Sequence, residues 1–388
     1  MKILGKNKKR KVLLVSGSRG EYGYIRPVIK LMKESNILEP KILATNMHLL
    51  PEFGNTIEEF SIDNISVDYK AYMALSGFTN STMVKSLGVF MLSVADILDN
   101  NCPDFILLAG DRGEQLIAAI AGAHMNVPIA HIQSGELSGN IDGMARHAIT
   151  RFTHIHFASN EDAKRRLISM GEEDFRTFCV GAPQLDELSQ NKIADRQTIM
   201  EEYSFDSSKP IALIAQHPVT EQTLYAGEQM EATMNAVISL GLQCVVIYPN
   251  NDAGSISIQE CIRKCHNINI HFQRSVPRNI YAGIMKSVDV IIGNSSSGII
   301  EAPSFELPAV NIGRRQNGRY QGKNVINVRH HDPKAIKMTI KKALSPKFKK
   351  SLKGMKNPYG DGRSAERIVE ILETVPINEK LLYKKIAY

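Results

Sequence analysis

The chain has 388 residues, 43% of them apolar, and a formal net charge of +7; this length exceeds one typical domain and suits two. The basic residues are scattered, so nucleic-acid binding is not expected, and no apolar run reaches the ~18 residues that predict a membrane span. Five scattered cysteines argue against a disulfide framework and for a cytoplasmic location, and their spacing predicts no metal site.

In the first half of the chain, short β-branched runs alternate with longer helical patterns. The runs that predict strands are KVLLVSG, EPKILATN, PDFILLAG, PIAHIQSG and IHFAS. The segments whose apolar spacing predicts helices are YIRPVIKLMKE, TMVKSLGVFMLSVADILDN, EQLIAAIAGAHMN and MARHAITRFTH. This alternation with continuously apolar strands is typical of a parallel sheet that is covered by helices on both faces.

The same alternation restarts after a polar segment, residues 181–197, which we interpret as a helix with a linker. We therefore predict an α/β protein with two doubly wound Rossmann-like domains, residues 1–184 and 185–362. A last helical pattern within residues 363–388 is expected to return to the first domain. In such folds, ligands bind at the carboxyl ends of the strands, so the expected site is the cleft between the domains.

The stretch DVIIGNSSSG predicts a strand, an anion-binding loop and then a helix. Short polar residues before a helix let backbone N–H groups and hydroxyls converge on a phosphate, here with Ser295 and Ser296. Glu301 lies in the first helical turn, where a carboxylate suits the vicinal hydroxyls of a ribose. The following NIGRRQNGR supplies Arg315 for bidentate contacts to a diphosphate.

Two strand ends in the first half carry charged residues. GSRGEYG places Arg19 and Glu21 in a turn that suits a phosphate or carboxylate, although exposed turn charges explain it equally well. The pattern is not GxGxxG, so a nicotinamide cofactor loses support, and no cofactor is expected. In AGDRGEQ, Asp111 and Arg112 follow an apolar strand, and Asp111 is either a helix cap, a catalytic group or both.

The predicted strand PIAHIQSG is followed by a loop and a helix start that are rich in polar residues. The loop HIQSGELSG holds Gln133 and Glu136, and IDGMARH adds Asp142, a possible cap, and Arg146. We expect Glu136 to face Asp111 from the neighbouring strand. Two carboxylates in one cleft can divide acid and base roles when their surroundings separate their pKa values.

Two strand ends in the second half add further polar side chains. His217 lies in AQHPVT and Asn250 lies in YPNNDAGS. The residues together predict a nucleoside diphosphate in the second domain, with an attached group, most simply a sugar, facing Asp111, Glu136 and His217. The residues alone leave sugar transfer, epimerisation and hydrolysis open.

These motifs, in this order, resemble the hydrolysing UDP-N-acetylglucosamine 2-epimerases of bacterial sialic-acid pathways. The resemblance spans roughly residues 10–375 and rests on the loops quoted above. It implies a fold similar to that of the GT-B glycosyltransferases and the reaction of UDP-GlcNAc with water to N-acetylmannosamine and UDP through 2-acetamidoglucal. It also implies a homodimer or homotetramer.

The resemblance assigns roles to individual residues. It implies that Asp111 and Glu136 are the acid–base carboxylates and that His217 is essential, without fixing which carboxylate is the base. The residues expected to bind the UDP-sugar are Arg19, Glu21, Arg112, Gln133, Asp142, Arg146, Asn250, Ser295, Ser296, Glu301 and Arg315.

Three alternatives remain. Relatives from legionaminic-acid pathways share these motifs and act on UDP-2,4-diacetamido-2,4,6-trideoxy sugars; the residues that distinguish the two substrates are expected in HLLPEFGNTIEEF and ALSGFTNSTMVKSLG. A GT-B glycosyltransferase would pass the sugar to an acceptor. A nucleotide-sugar sensor would leave it intact.

Overall fold

The computed structural model describes residues 9–54, 56–77, 79–189 and 193–387. It contains two parallel sheets covered by helices, which confirms the α/β prediction. The strands are β1 Arg10–Ser16, β2 Leu38–Thr45, β3 Tyr69–Ala71, β4 Phe105–Ala109, β5 Ile129–Ile132, β6 Ile155–Ala158, β7 Thr177–Cys179, β8 Ile211–Ala215, β9 Gln243–Ile247, β10 Ile270–Gln273, β11 Val290–Gly293, β12 Ala309–Ile312 and β13 Val325–Val328.

The described helices include those that the apolar periodicity predicts, close to their predicted starts, and several that it did not predict, among them residues 161–169, 333–344 and 346–352. The helices are α1 Arg19–Glu34, α2 Glu58–Ile62, α3 Asn80–Asn101, α4 Gly113–His124, α5 Ile141–Phe152, α6 Glu161–Ser169, α7 Arg196–Glu202, α8 Ala226–Ile238, α9 Ser255–Lys264, α10 Arg278–Ser287, α11 Ser297–Ile300, α12 Pro333–Leu344, α13 Pro346–Leu352, α14 Ser364–Thr374 and α15 Glu379–Leu382. Helix α1 begins earlier than its apolar pattern because Ser18 caps it and accepts from the N–H of Glu21 at 3.4 Å.

The first sheet has seven parallel strands in the order β3-β2-β1-β4-β5-β6-β7. Its order reverses between β1 and β4, so the loops that follow β1 and β4 diverge there and open a crevice. Because β5 lies beside β4 in register, with Leu108 opposite His131, the loops after both strands share one edge of the sheet. This geometry brings the polar strand ends of the first half together.

The second sheet has six parallel strands in the order β10-β9-β8-β11-β12-β13. Strand β8 is central, and its carboxyl end meets the ends of β9 and β11. The loops that carry His217, Asn250 and Ser295 therefore leave neighbouring strands at the same edge. The four central strands β8, β9, β11 and β12 are buried on both faces, as continuously apolar strands require, whereas the edge strands β10 and β13 are partly exposed.

Helix α14 packs against α1, although the two helices come from opposite ends of the chain. Ile368 and Leu372 are fully buried in the same apolar core as Ile25 of α1. The helix is also fixed at its start, where the carboxylate of Asp186 accepts from the N–H groups of Ser364 at 3.1 Å and Ala365 at 2.6 Å. The domain boundaries at residues 184 and 362 stay a prediction.

Some predicted features differ from the structure. Strands β3 and β7 were not predicted, because three residues each are too few to show a periodic pattern. The segment predicted as helix and linker is a 3-10 turn at Pro183–Ser189, and residues 190–192 lie outside the described residues. The sequence between residues 181 and 197 therefore predicted the connection but not its form.

Helix α3 is, by length and composition alone, apolar enough to cross a membrane, with a mean hydropathy of 1.4 over its most apolar window. This finding departs from our expectation that no such segment exists. The helix packs on the first sheet through Phe90, Val94 and Leu98, which are buried beside β4 residues. One such helix is weak evidence for a span, because core helices pass the same test.

Candidate active site

A cleft lies between the carboxyl edges of the two sheets and is lined by side chains from both. Twelve of the fourteen predicted site residues line it: Arg19, Glu21, Asp111, Arg112, Asp142, Arg146, His217, Asn250, Ser295, Ser296, Glu301 and Arg315. The other two, Gln133 and Glu136, are not among its lining residues. The rule that ligands bind at the carboxyl ends of strands therefore predicted most of the residues that line the cleft. It did not predict the position of the loop after β5, which carries Gln133 and Glu136.

The anion-binding loop begins where β11 ends at Gly293. This position has a φ of +130°, and a Cβ here would lie 2.2 Å from the carbonyl oxygen of Ala215, so only glycine fits. The next residue, Asn294, accepts from the N–H of His217 at 2.7 Å and donates to the carbonyl of His217 at 2.8 Å. The loop and the end of β8 are thus held together as one unit.

The hydroxyls after Asn294 face the cleft. Ser295 and Ser297 are hydrogen-bonded to each other at 3.2 Å, and Ser296 lines the cleft between them. Helix α11, which follows, has only four residues, so its dipole is weak and the hydroxyls and arginines supply most of the attraction for an anion. The predicted helix start is present, but the predicted helix is short.

A second loop of the same domain, residues 313–319, supplies arginines to the cleft; we call it the arginine loop. Arg315 donates to the carbonyl of Asn294 at 3.3 Å, and Gln316 donates to the same oxygen at 2.9 Å. Arg315 also lies 3.7 Å from the carboxylate of Asp142 in the first domain. This loop therefore contacts the anion-binding loop on one side and the first domain on the other.

Asp111 and Asp142 are the carboxylates that meet in the cleft. Asp111 is paired with Arg146 and accepts from the hydroxyl of Ser138 at 3.2 Å. Burial alone would raise the pKa of Asp111, but the charges of Arg146 and of two arginines from the arginine loop outweigh it and hold that pKa below its usual range. Asp111 is therefore ionised at neutral pH.

Asp142 has the opposite electrostatic surroundings. Burial, followed by the charges of Asp111 and Asp252, raises the pKa of Asp142 to about 7, against the partial effect of Arg315. Two neighbouring carboxylates, one with a lowered pKa and one with a pKa of about 7, form an arrangement that can serve as a base and an acid at the same pH. Asp142 begins α5 and was weighed as a simple cap from the sequence; its place beside Asp111 gives it a further candidate role.

His217 is neutral in this site. Burial and then the charge of Arg315 lower the pKa of His217 to about 3. The N–H of Asn250 donates to Nδ1 of His217 at 3.2 Å, which leaves the ring proton on Nε2. A neutral imidazole in this tautomer can donate one hydrogen bond into the cleft at neutral pH.

Arg19 and Arg112 connect the two domains across the cleft. Arg19 donates to the hydroxyl of Ser275 at 2.8 Å. Arg112 reaches Asp252 at 3.1 Å and Asn251 at 2.9 Å. Arg19 and Arg112, which were predicted to bind the ligand, therefore also join the two domains across the cleft.

Glu21 and Glu301 are engaged with protein groups. Glu21 accepts from the N–H of Gly17 at 2.6 Å, and burial and then the charge of Glu114 raise its pKa well above the usual range. Glu301 is paired with Arg278 at the start of α10. Arg278 was missed from the sequence, although it follows β10 and so satisfies the strand-end rule.

Glu136 is not among the residues that line the cleft with Asp111, and its expected acid–base role stays a prediction. The carboxylate of Glu136 is 2% exposed, lies 3.1 Å from Nε of Arg319 and accepts from the side chain of Asn160 at 3.2 Å. Gln133 has a φ of +62°, and neither of its buried amide atoms has a hydrogen-bond partner within the described ranges. Gly135 also has a positive φ, and after this loop Asp142 lines the cleft with Asp111 whereas Glu136 does not.

Of the two stretches expected to distinguish substrates, only one reaches the cleft among the described residues. Phe53 and Glu59 from HLLPEFGNTIEEF line it, and burial raises the pKa of Glu59 to about 6. The stretch ALSGFTNSTMVKSLG contributes no lining residue within its described part, since Phe78 lies outside the described residues. No cluster of His, Cys, Asp or Glu able to hold a metal occurs in the described part of the chain.

Two Rossmann-like domains that face each other across such a cleft define a GT-B-like enzyme of nucleotide sugars. The family model for UDP-N-acetylglucosamine 2-epimerase matches residues 30–373, and the chain belongs to that family. The resemblance inferred from the motifs is therefore confirmed.

Three individual relatives are similar to this chain over most of its length. The chain is 39% identical over 382 residues to the UDP-N,N'-diacetylbacillosamine 2-epimerase (hydrolyzing) of Legionella pneumophila, covering 98% of this chain and all of that one. It is 29% identical over 336 residues to a UDP-N-acetylglucosamine 2-epimerase of Neisseria meningitidis, covering 87% and 88% of the two chains. A crystal structure of UDP-GlcNAc 2-epimerase from Neisseria meningitidis bound to UDP-GlcNAc matches with a TM-score of 0.78 at 21% identity, over 93% and 99% of the chains.

Proposed function

We propose that this protein is a hydrolysing 2-epimerase whose preferred substrate is UDP-N,N'-diacetylbacillosamine, a UDP-2,4-diacetamido-2,4,6-trideoxy sugar. The observation that carries the substrate is the full-length identity of 39% to the Legionella pneumophila enzyme of that name, against 29% to the Neisseria meningitidis enzyme named for UDP-GlcNAc. This order reverses the preference drawn from the motifs alone, which favoured UDP-GlcNAc and N-acetylmannosamine.

The charge of the cleft supports a diphosphate ligand. Eight arginines line the cleft with five carboxylates, so the lining carries a positive excess that a diphosphate would offset. The arginines on the side of the anion-binding loop include Arg315, whose planar guanidinium suits bidentate contact to phosphate oxygens. We place the diphosphate between Ser295, Ser296 and Arg315, with the sugar directed at the first domain.

The carboxylates of the first domain support the epimerisation step. In our proposal, the ionised Asp111 removes the proton from C2 while the C1–O bond to UDP breaks, which yields a 2-acetamidoglycal and UDP. Asp142, whose pKa lies near 7, serves as the acid–base partner. His217 donates its Nε2 proton in a hydrogen bond to an oxygen of the departing diphosphate.

Hydration completes the proposed reaction. Water adds its hydroxyl group to C1 of the glycal, and C2 receives a proton on the face opposite to the one that lost it. The products are UDP and the 2-epimer of the free sugar. Both steps need a proton donor and a proton acceptor near C1 and C2, and Asp111 and Asp142 supply that pair in the closed cleft.

The test is product identification by NMR in deuterated water, with UDP-N,N'-diacetylbacillosamine and UDP-GlcNAc supplied separately and no acceptor present. We expect UDP release, a free sugar with deuterium at C2, and a higher kcat/KM for the diacetamido substrate. Faster turnover of UDP-GlcNAc would overturn the substrate assignment and leave the reaction in place. No turnover of either sugar without an acceptor would favour a glycosyltransferase or a sensor.

A pair of variants ties the reaction to the site. Asp111→Asn should lose at least ~100-fold in turnover, the usual scale for an acid–base group, while it still binds UDP. Asp96→Asn, a matched change at an exposed position on α3, should keep the activity of the unmodified protein. Normal activity in Asp111→Asn would remove this residue from the mechanism.

A further inference from the structure

The arginine loop carries a buried ion pair across the domain interface. Arg319, at the end of this loop, lies 3.1 Å from Glu136 in the loop that follows β5, and the two side chains are 4% and 2% exposed. Arg319 lines the cleft, whereas Glu136 lies behind it. Glu136 is held from its other side by Asn160, which caps α6.

The opposite end of the arginine loop contacts the anion-binding loop. Arg315 and Gln316 both donate to the carbonyl oxygen of Asn294, and Gln316 accepts from Arg319 at 3.0 Å. Two hydrogen bonds and then the ion pair of Arg319 with Glu136 therefore connect the predicted diphosphate position, through Gln316, to the loop after β5.

The backbones of the two loops also meet. The N–H of Gly139 donates to the carbonyl of Arg315 at 2.8 Å. Gly139 lies three residues after Glu136, and the residue before it, Ser138, donates to Asp111. The position of the Glu136 loop against the arginine loop therefore also sets the position of a hydrogen-bond donor to Asp111.

We propose that Glu136 is a positioning residue that receives Arg319 when the cleft closes, so that diphosphate binding at the arginine loop is coupled to the placement of Asp111 for reaction. This inference rests on the proposed function, in which the diphosphate occupies the anion-binding loop. It replaces the acid–base role that the resemblance implied for Glu136, because Arg319 separates the carboxylate from the cleft.

The burial of the pair predicts how variants combine. Removing one partner of a buried ion pair leaves the other charge without compensation, so either single variant is strongly unfavourable for the closed form. Removing both charges leaves no uncompensated charge, so the double variant is expected to do no worse than either single one. An acid–base role for Glu136 predicts instead that Glu136→Gln loses one limb of the pH profile and that removing the charge of Arg319 does not limit the loss.

The experiment is a double-mutant cycle of Glu136→Gln and Arg319→Gln with three readouts: kcat and KM for the preferred sugar nucleotide, the pH profile of kcat/KM, and the radius of gyration by X-ray scattering with and without UDP. We expect UDP to compact the unmodified protein and each single variant to lose that compaction. We also expect each to lose about 100-fold in kcat/KM with both limbs of the pH profile retained, and the double variant to lose no more.

The matched control is the exposed ion pair of α14, Arg363 with Glu366, changed to glutamine in the same way. These variants should leave all three readouts unchanged. Arg319→Lys keeps the positive charge and should keep UDP-driven compaction. If Glu136→Gln fails to fold, the comparison of Arg319→Lys with Arg319→Gln still tests whether the positive charge at residue 319 is needed for compaction by UDP.

Loss of one limb of the pH profile in Glu136→Gln, or additive losses in the double variant, would overturn the positioning role. Unchanged compaction in Arg319→Gln, or no compaction of the unmodified protein by UDP, would do the same. Compaction is measured with UDP alone. The inference therefore survives if neither sugar nucleotide is turned over, and that result would count only against the proposed function.

Discussion

Replacing Asp142 with asparagine should stabilise the protein at alkaline pH and inactivate it. Asp142 is buried beside Asp111 and Asp252, and burial and then these two charges raise its pKa from 3.8 to about 7. The native fold therefore opposes ionisation of this carboxyl group. The asparagine side chain of the variant would have nearly the same shape as the protonated acid and would carry no charge at any pH.

The size of the effect follows from the two pKa values. In the unfolded chain Asp142 ionises near pH 4, whereas in the folded chain it keeps its proton until about pH 7. Between these values the folded form binds the extra proton, so stability falls as the pH rises, by about 1.4 kcal/mol per pH unit. The penalty reaches about 4 kcal/mol above pH 7, and Asp142→Asn does not experience it.

The assay is urea unfolding of the unmodified protein and of Asp142→Asn at pH 5 and pH 8. We expect the free energy of unfolding of the variant, relative to the unmodified protein, to rise by about 3 kcal/mol between these pH values. Asp96→Asn, at an exposed site on α3, serves as the control and should show no such rise. A relative free energy that stays constant within about 0.5 kcal/mol would refute the repulsion inferred for Asp142.

Two further predictions concern closure and His217. In Gly139→Ala, the new Cβ would lie 1.8 Å from the carbonyl oxygen of Arg314, so the loops cannot approach; we expect UDP-driven compaction by X-ray scattering to be lost while the circular dichroism spectrum is unchanged. In nitrogen NMR, His217 should remain the neutral Nε2–H tautomer from pH 5.5 to pH 8.5, because burial and then Arg315 lower its pKa to about 3; a titration inside that range would contradict the assignment.

The sequence predicted the position of the site through the topology of parallel sheets. Asp111 follows an apolar strand of the first sheet, and His217 and Ser295 follow apolar strands of the second. Within each sheet, parallel strands bring their carboxyl ends to the same edge. Apolar runs reveal where each strand ends along the chain, whereas the order of the strands within each sheet is seen only in the structure. Helix α14 was expected to return to the first domain, and it packs on α1.

The sequence did not predict which carboxylate after β5 meets Asp111. Glu136 and Asp142 both follow that strand, and their order along the chain does not indicate the direction of either side chain. The direction depends on positive φ angles at Gln133 and Gly135 and on Arg319, which lies far along the chain in the arginine loop. Such long-range contacts leave no local pattern, so the three-dimensional structure was needed to separate the two.

The separation of pKa values between Asp111 and Asp142 depends on the closed cleft. Of the three arginines that lower the pKa of Asp111, only Arg146 belongs to the first domain, while Arg315 and Arg319 come from the arginine loop. Opening the cleft would withdraw two of these charges and would also expose Asp111 to water, so the balance of burial and charge that separates the two pKa values belongs to the closed form. The elimination we propose is therefore confined to the closed state, in which the glycal intermediate is also retained beside the groups that hydrate it.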